Sequence, residues 1–177
     1  MPPAMRFKKP KQRNVAKFLP RKAQATTGES REVLAVSYRI CGTRTDTVKL
    51  AKQFLTLKNT RFPDITLPEA ITFVLLESFQ EEFEFQAKFN GGKIYHGGSV
   101  VDFWLPNQQS VIRVQGDYWH TRPDRVTEDE IQRAALLLGT IDGKHILKVV
   151  DVWESKLLGC GRKHVIQAAI QGEELGK

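Results

Sequence analysis

Cysteine is scarce in this chain. There are two, Cys41 and Cys160, in no CxxC pair and at no metal-ligand spacing. Their scarcity argues for a reducing compartment and against both a disulfide framework and a zinc ribbon. No apolar run reaches the ~20 residues that cross a bilayer, and no segment repeats. Acid is missing from the first 28 residues, which hold Arg6, Lys8, Lys9, Lys11, Arg13, Lys17, Arg21 and Lys22. Those eight charges exceed the net charge of +7, so the rest of the chain is close to neutral and the basicity belongs to an arm. The arm also lacks the apolar stretch of a secretory signal. A basic, acid-free arm suits contact with nucleic-acid phosphates, a reading placed ahead of a solubility tail or an organellar transit peptide. The expected setting is intracellular, alongside DNA, with organellar targeting left open.

The chain has 177 residues, 41% of them hydrophobic, enough for one α/β core with an extension. Residues 1–30 read as an extended arm that orders on a partner. Residues 31–62 read as a small adaptor. In it Arg31 to Ile40 reads as a strand, and Asp46 or Thr47 caps a basic helix running from Val48 to about Lys58. Residues 63–177 read as the main domain. Thr66, Pro68 and Glu69 form a capping box that opens a helix to about Glu81. Phe83 to Phe89 alternates with the period of a half-buried strand. Val100 to Trp104 and Val111 to Val114 flank the turn Pro106-Asn107-Gln108-Gln109 and read as a hairpin. Thr127 to Glu130 reads as a second capping box, opening a helix to about Leu138. Ile146 to Trp153 is a further strand, and Arg162 to Ile170 a last helix. This order predicts a mixed sheet flanked by helices, with antiparallel hairpin strands and a crossover through helix 127–138.

Asp102 is the anomaly. A carboxylate inside an apolar strand costs free energy unless it is paired or binds a cation. Two readings stand level: a ligand for a hard cation, or a partner for Arg113 across the hairpin. Past the second strand come Tyr118, Trp119 and His120. Acid on one strand and imidazole beyond its neighbour is the layout of a metal-assisted hydrolytic site, in which a cation neutralises the phosphate and a base activates water. Glu69 is already accounted for by its capping box, and Glu128, Asp129 and Glu130 suit the first turn of a helix. Tyr118 and Trp119 suit either stacking on bases or plugging the sheet end. His96, His145 and His164 have no acid-rich surroundings and stay unassigned.

Several of these stretches together resemble the very-short-patch-repair (Vsr) endonuclease family, a branch of the PD-(D/E)xK restriction-endonuclease-like fold with relatives among homing endonucleases. They are Leu67-Pro68-Glu69-Ala70-Ile71, Phe83 to Phe89, Val101-Asp102-Phe103, Val111 to His120, the acidic helix start before Gln132-Arg133, and Val152-Trp153-Glu154. The likeness spans roughly residues 66–158. It implies a restriction-endonuclease-like mixed β-sheet flanked by helices, carrying a basic N-terminal extension, and a magnesium- or manganese-dependent DNA endonuclease without zinc. By resemblance Asp102 is the metal carboxylate, the main-chain carbonyl of Val114 a second ligand, and His120 the catalytic histidine. Glu69 approaches from the first core helix, Asp129 or Glu130 supplies the last acid, and Tyr118 and Trp119 wedge into the duplex. Two positions depart from the pattern: Arg113 and Gln115 stand where relatives carry acids or histidine. Asp117 stands where the repair enzymes keep a zinc ligand. The first 62 residues have no counterpart, so mismatch repair is not assigned.

The leading expectation is a DNA endonuclease whose arm residues Lys8, Lys9, Lys11, Arg13, Arg21 and Lys22 hold phosphates; the residues do not separate DNA from RNA. The alternative, favoured by Arg113 and Gln115, is a degenerate nuclease fold kept as a nucleic-acid-binding or structural subunit of a larger nucleoprotein assembly. No membrane partner is expected.

Overall fold

A computed structural model describes residues 29–90, 92, 98–117 and 123–176. The basic arm, Tyr95, His96, Tyr118, Trp119 and His120 lie outside the described residues. The chain runs α1 (Arg31–Ser37), α2 (Arg44–Thr60), α3 (Leu67–Ser78), β1 (Glu84–Phe89), β2 (Ser99–Leu105), β3 (Ser110–Gln115), α4 (Pro123–Leu137), β4 (Thr140–Ile141), β5 (Lys144–His145), β6 (Lys148–Trp153), α5 (Glu154–Leu158) and α6 (Arg162–Gln171). The main sheet has the order β1-β2-β3-β6, and β4-β5 form a small hairpin. β1, β2 and β3 are antiparallel, whereas β3 and β6 run parallel. The expected crossover is therefore present, with α4 between its two parallel strands. Among the described residues no helix is long and apolar enough to cross a membrane.

Local chemistry sets the helix starts. Thr66 and Glu69 close the expected capping box of α3: the Thr66 N–H donates to Glu69 Oε2 at 2.7 Å and the Glu69 N–H to Thr66 Oγ1 at 3.4 Å. Three expectations need correction. Residues 31–37 are helical, not a strand. Ser30 caps them through the Val33 N–H, and Val33, Leu34 and Ser37 share a buried helical face. A short apolar run alone does not separate a strand from a helix. α2 begins earlier than Val48, because Thr43 is its cap and Asp46 sits inside the first turn, where the Thr43 hydroxyl donates to its carboxylate at 2.7 Å. α4 begins at Pro123, four residues before the expected box. Proline's fixed φ suits a first helical position, and Thr127 is absorbed into the helix.

Two cores lie on the two faces of the sheet. One packs Phe103, Leu105, Ile112 and Val150 against Ile71 and Leu76 of α3, Phe54 of α2 and Ile166 of α6. Residues 31–62 thus contribute Val33, Val48, Ala51 and Leu55 to the same core as α3. The other holds Ala87, Phe89, Val101, Trp104 and Val111, with Leu136 of α4.

Side chains along a strand should alternate between faces, yet Phe85 joins the first core and Ala87 the second, and likewise Phe103 and Val101. The switch falls at Gln86, whose φ is +57°, and at Asp102 opposite it. The Cα register runs Phe85↔Phe103 and Ala87↔Val101 and passes over that pair.

The two cysteines are joined. Cys41, between α1 and α2, forms a disulfide with Cys160, between α5 and α6, across a separation of 119 residues. This corrects the expectation of no disulfide: packing brings the two corners together, and wide spacing in sequence carries no sign of it. In the chain-entropy view a loop of this size is worth about 5 kcal/mol. Thiol titration of the denatured, unreduced protein should therefore find no free thiol. Reduction should lower the melting temperature by about 10 °C or more.

Candidate functional site

The site grows from the point where β2 leaves β3. Their pairing ends at Phe103↔Ile112. Beyond it the Val114 N–H has no β2 carbonyl and donates instead to Asp102 Oδ2 at 2.7 Å. A strand residue's N–H and C=O point to the same edge, so the Val114 carbonyl faces this gap as well. Asp102 Oδ1 has no partner among the described residues. Burial pushes the Asp102 pKa up to about 6; the Val114 N–H pulls it down, the nearby Glu69 charge pushes it up, and Arg113 and Asp151 act oppositely and more weakly. Glu69 is thus within electrostatic reach of Asp102. Both side-chain bonds that Glu69 makes use Oε2, which leaves Oε1 free among the described residues.

Arg113 does not pair with Asp102. Its buried guanidinium grips Asp151 of β6 through Nε and Nη2, both at 2.7 Å. Nη1 donates to the Asp129 carbonyl and to Gln132 Oε1, both at 3.2 Å. Gln115 Nε2 donates to Asp151 Oδ1 at 3.0 Å, and Arg133 Nη1 to Asp151 Oδ2 at 3.0 Å. Burial would raise the Asp151 pKa, but the Arg113 bonds and charge, then Gln115 and Arg133, hold it below the usual carboxylate value. Asp151 went unremarked in the sequence. The signal was available: an acid inside the apolar run Ile146 to Trp153, as anomalous as Asp102, with Arg113 equally out of place in its own strand.

Arg113, Gln115 and Asp151 line a cleft of about 310 Å³ with Asp129, Glu130 and Trp153. Asp129 and Glu130 are therefore brought to the Arg113 network. The expected partner of these acids, His120, lies outside the described residues. Asp117, just before it, accepts the Ser155 N–H at 3.0 Å and so ties the end of β3 to the start of α5. That end is shared with β6, because the two strands are parallel.

Magnesium binds through oxygen, commonly one or two carboxylates completed by water and phosphate. Asp102 offers a half-buried carboxylate with a free oxygen, Glu69 a second charge, and Val114 a carbonyl on the same edge. These groups fit a hard cation. Among the described residues, no three of His, Cys, Asp and Glu form a metal-ligand set. Comparisons with family models, curated proteins and solved structures found no match.

Two outcomes follow. Asp102 binds its proton more tightly folded than unfolded, where its pKa is about 3.9. Its contribution to stability is therefore complete below pH 4 and lost as pH rises through about 6. Asp102→Asn, which keeps an acceptor for Val114, should match the native protein below pH 4 and exceed it at pH 8 by about 3 kcal/mol in urea denaturation. Asp151→Ala should cost about 3–5 kcal/mol at neutral pH, because it strands the Arg113 charge in the core.

Proposed function

We propose that the protein is a metal-dependent phosphodiesterase acting on nucleic acid. More narrowly, we read it as a DNA endonuclease similar to the Vsr branch of the restriction-endonuclease-like fold. The observation that carries this is Asp102: a half-buried carboxylate with one free oxygen, a second acid in reach, and a main-chain carbonyl beside it. A mixed sheet flanked by helices, opened between β2 and β3, supports the same reading. In this proposal Asp102, with the Val114 carbonyl, holds magnesium or manganese, and Glu69 adds negative charge from α3. Bound there, the cation would neutralise the scissile phosphate and acidify water. Hydrolysis adds water across one P–O bond and leaves a phosphate end and a hydroxyl end. His120 is assigned to proton transfer, with Asp129 or Glu130 in support. Tyr118 and Trp119 are assigned to the duplex, and the arm from Lys8 to Lys22 to its phosphates.

A second reading rests on one specific observation. Arg113 and Gln115, at the acid positions of related nucleases, are both committed to Asp151, which favours a fold retained for binding within a nucleoprotein assembly. Supercoiled plasmid with magnesium or manganese separates the two. The enzyme should nick or linearise it. Asp102→Ala and His120→Ala should each lower the rate at least about 100-fold while leaving duplex affinity within about twofold. Full activity in both variants would refute the assignment, and salt-sensitive binding without cleavage would favour the second reading.

A further inference from the structure

A second candidate site lies on other elements, where α2, α3 and α6 meet beside the disulfide. It is a cleft of about 540 Å³, within the range of small-ligand pockets. Its lining includes Gly42, Asp46, Lys49, Glu77, Arg162 and Lys163, with Leu50, Val74 and Leu75 as an apolar wall.

Arg162 is the unusual member. It is 8% exposed, a burial that arginine seldom accepts without an anion. Its Nε donates to the Leu157 carbonyl at 3.0 Å and its Nη2 to the Cys41 carbonyl. These are neutral acceptors. Nη1 has no partner among the described residues. It would lie 3.8 Å from a Cβ placed on Gly42, another lining residue. Gly42 has φ +143°, which only glycine adopts readily, so this side of the cleft stays free of a side chain. Burial lowers the Arg162 pKa, and the charge of Asp46 offsets this in part. Asp46 is itself occupied by the Thr43 hydroxyl.

Two further features point to an anion. α6 begins at Arg162 after Gly161, and among the described residues no side chain caps it, so its leading N–H groups and positive dipole end suit an anion. Lys163 and Lys49, both exposed, add mobile positive charge at the same cleft.

We propose that this cleft binds a phosphate group, with Arg162 Nη1, Lys163 and the start of α6 as its receptors. The volume exceeds what inorganic phosphate fills. The apolar wall suits the body of an organic phosphate of mononucleotide size, while Glu77 supplies an acceptor for its hydroxyl or amino groups. The same phosphate chemistry is available from a nucleic-acid backbone.

Isothermal titration of the unreduced full chain tests this with three probes: inorganic phosphate, dAMP and a 12-base-pair duplex. Inorganic phosphate should bind in the millimolar range and dAMP at least 10-fold tighter. Lys163→Ala should weaken both about fivefold with an unchanged circular dichroism spectrum, and Arg162→Lys should weaken both further. If dAMP binds no tighter than inorganic phosphate, and Lys163→Ala weakens the duplex by the same factor, the phosphate belongs to nucleic acid. Arg162→Leu alone would be ambiguous, because it also removes the caps on Leu157 and Cys41; the exposed Lys163 and Lys49→Ala variants are not. Absence of phosphate and dAMP binding up to 10 mM, or binding unaltered in Lys163→Ala and Arg162→Lys, would overturn the proposal. Neither result bears on Asp102.

Discussion

One hydrogen bond governs the centre of this molecule: the Val114 N–H to the carboxylate of Asp102. A buried amide must have an acceptor. Once β2 stops pairing with β3, a side chain takes the place that a strand carbonyl would fill. Two consequences follow together. The sheet can open at that point without leaving an orphaned donor. A carboxylate is also held inside the fold, short of solvent and with one oxygen to spare. The left-handed Gln86 directly across β1 belongs to the same irregularity, since both strands exchange faces there. Such departures from regular pairing accumulate where a sheet has something to present.

Two acids on the strands that flank β3 are driven in opposite directions. Asp151 has two arginines and an amide around it and stays ionised below the ordinary range. Asp102 has one backbone donor and an acidic neighbour, and its proton is held up to about pH 6. Divergent environments of this kind separate a carboxylate that braces a structure from one that is available for chemistry. The braced one also stiffens the other's surroundings: Arg113 and Gln115, both bound to Asp151, are the residues on either side of Val114.

The N-terminal helices are built into this arrangement. α1 and α2 share the core beneath α3, and the Cys41–Cys160 disulfide with Arg162 joins their corner to the one between α5 and α6. Arg162 donates to carbonyls of both corners, so the region is held by hydrogen bonds as well as by the covalent link. The phosphate cleft is a by-product of that junction: a guanidinium used for bracing is left with one nitrogen facing outward.

What could be read from the chain alone was what lies within a few residues of itself. The Thr66–Glu69 box, the hairpin around Pro106 to Gln109, the parallel crossover through α4 and the anomaly of Asp102 are local matters of spacing, propensity and charge. Three local readings failed: the starts of α2 and α4 were placed too late, and residues 31–37 were read as a strand because seven residues of mixed apolar character fit either period until a core picks the buried face. The rest needed the fold. Arg113 had an acid directly across the hairpin and chose one 38 residues away, because β3 and β6 pair in parallel with Arg113 and Asp151 in register. The two cysteines, 119 residues apart, meet only when two helical corners pack. Side-chain chemistry names what a residue is able to do; strand register and helix packing decide which of its candidate partners stands within 3 Å, and no spacing in the sequence encodes that choice.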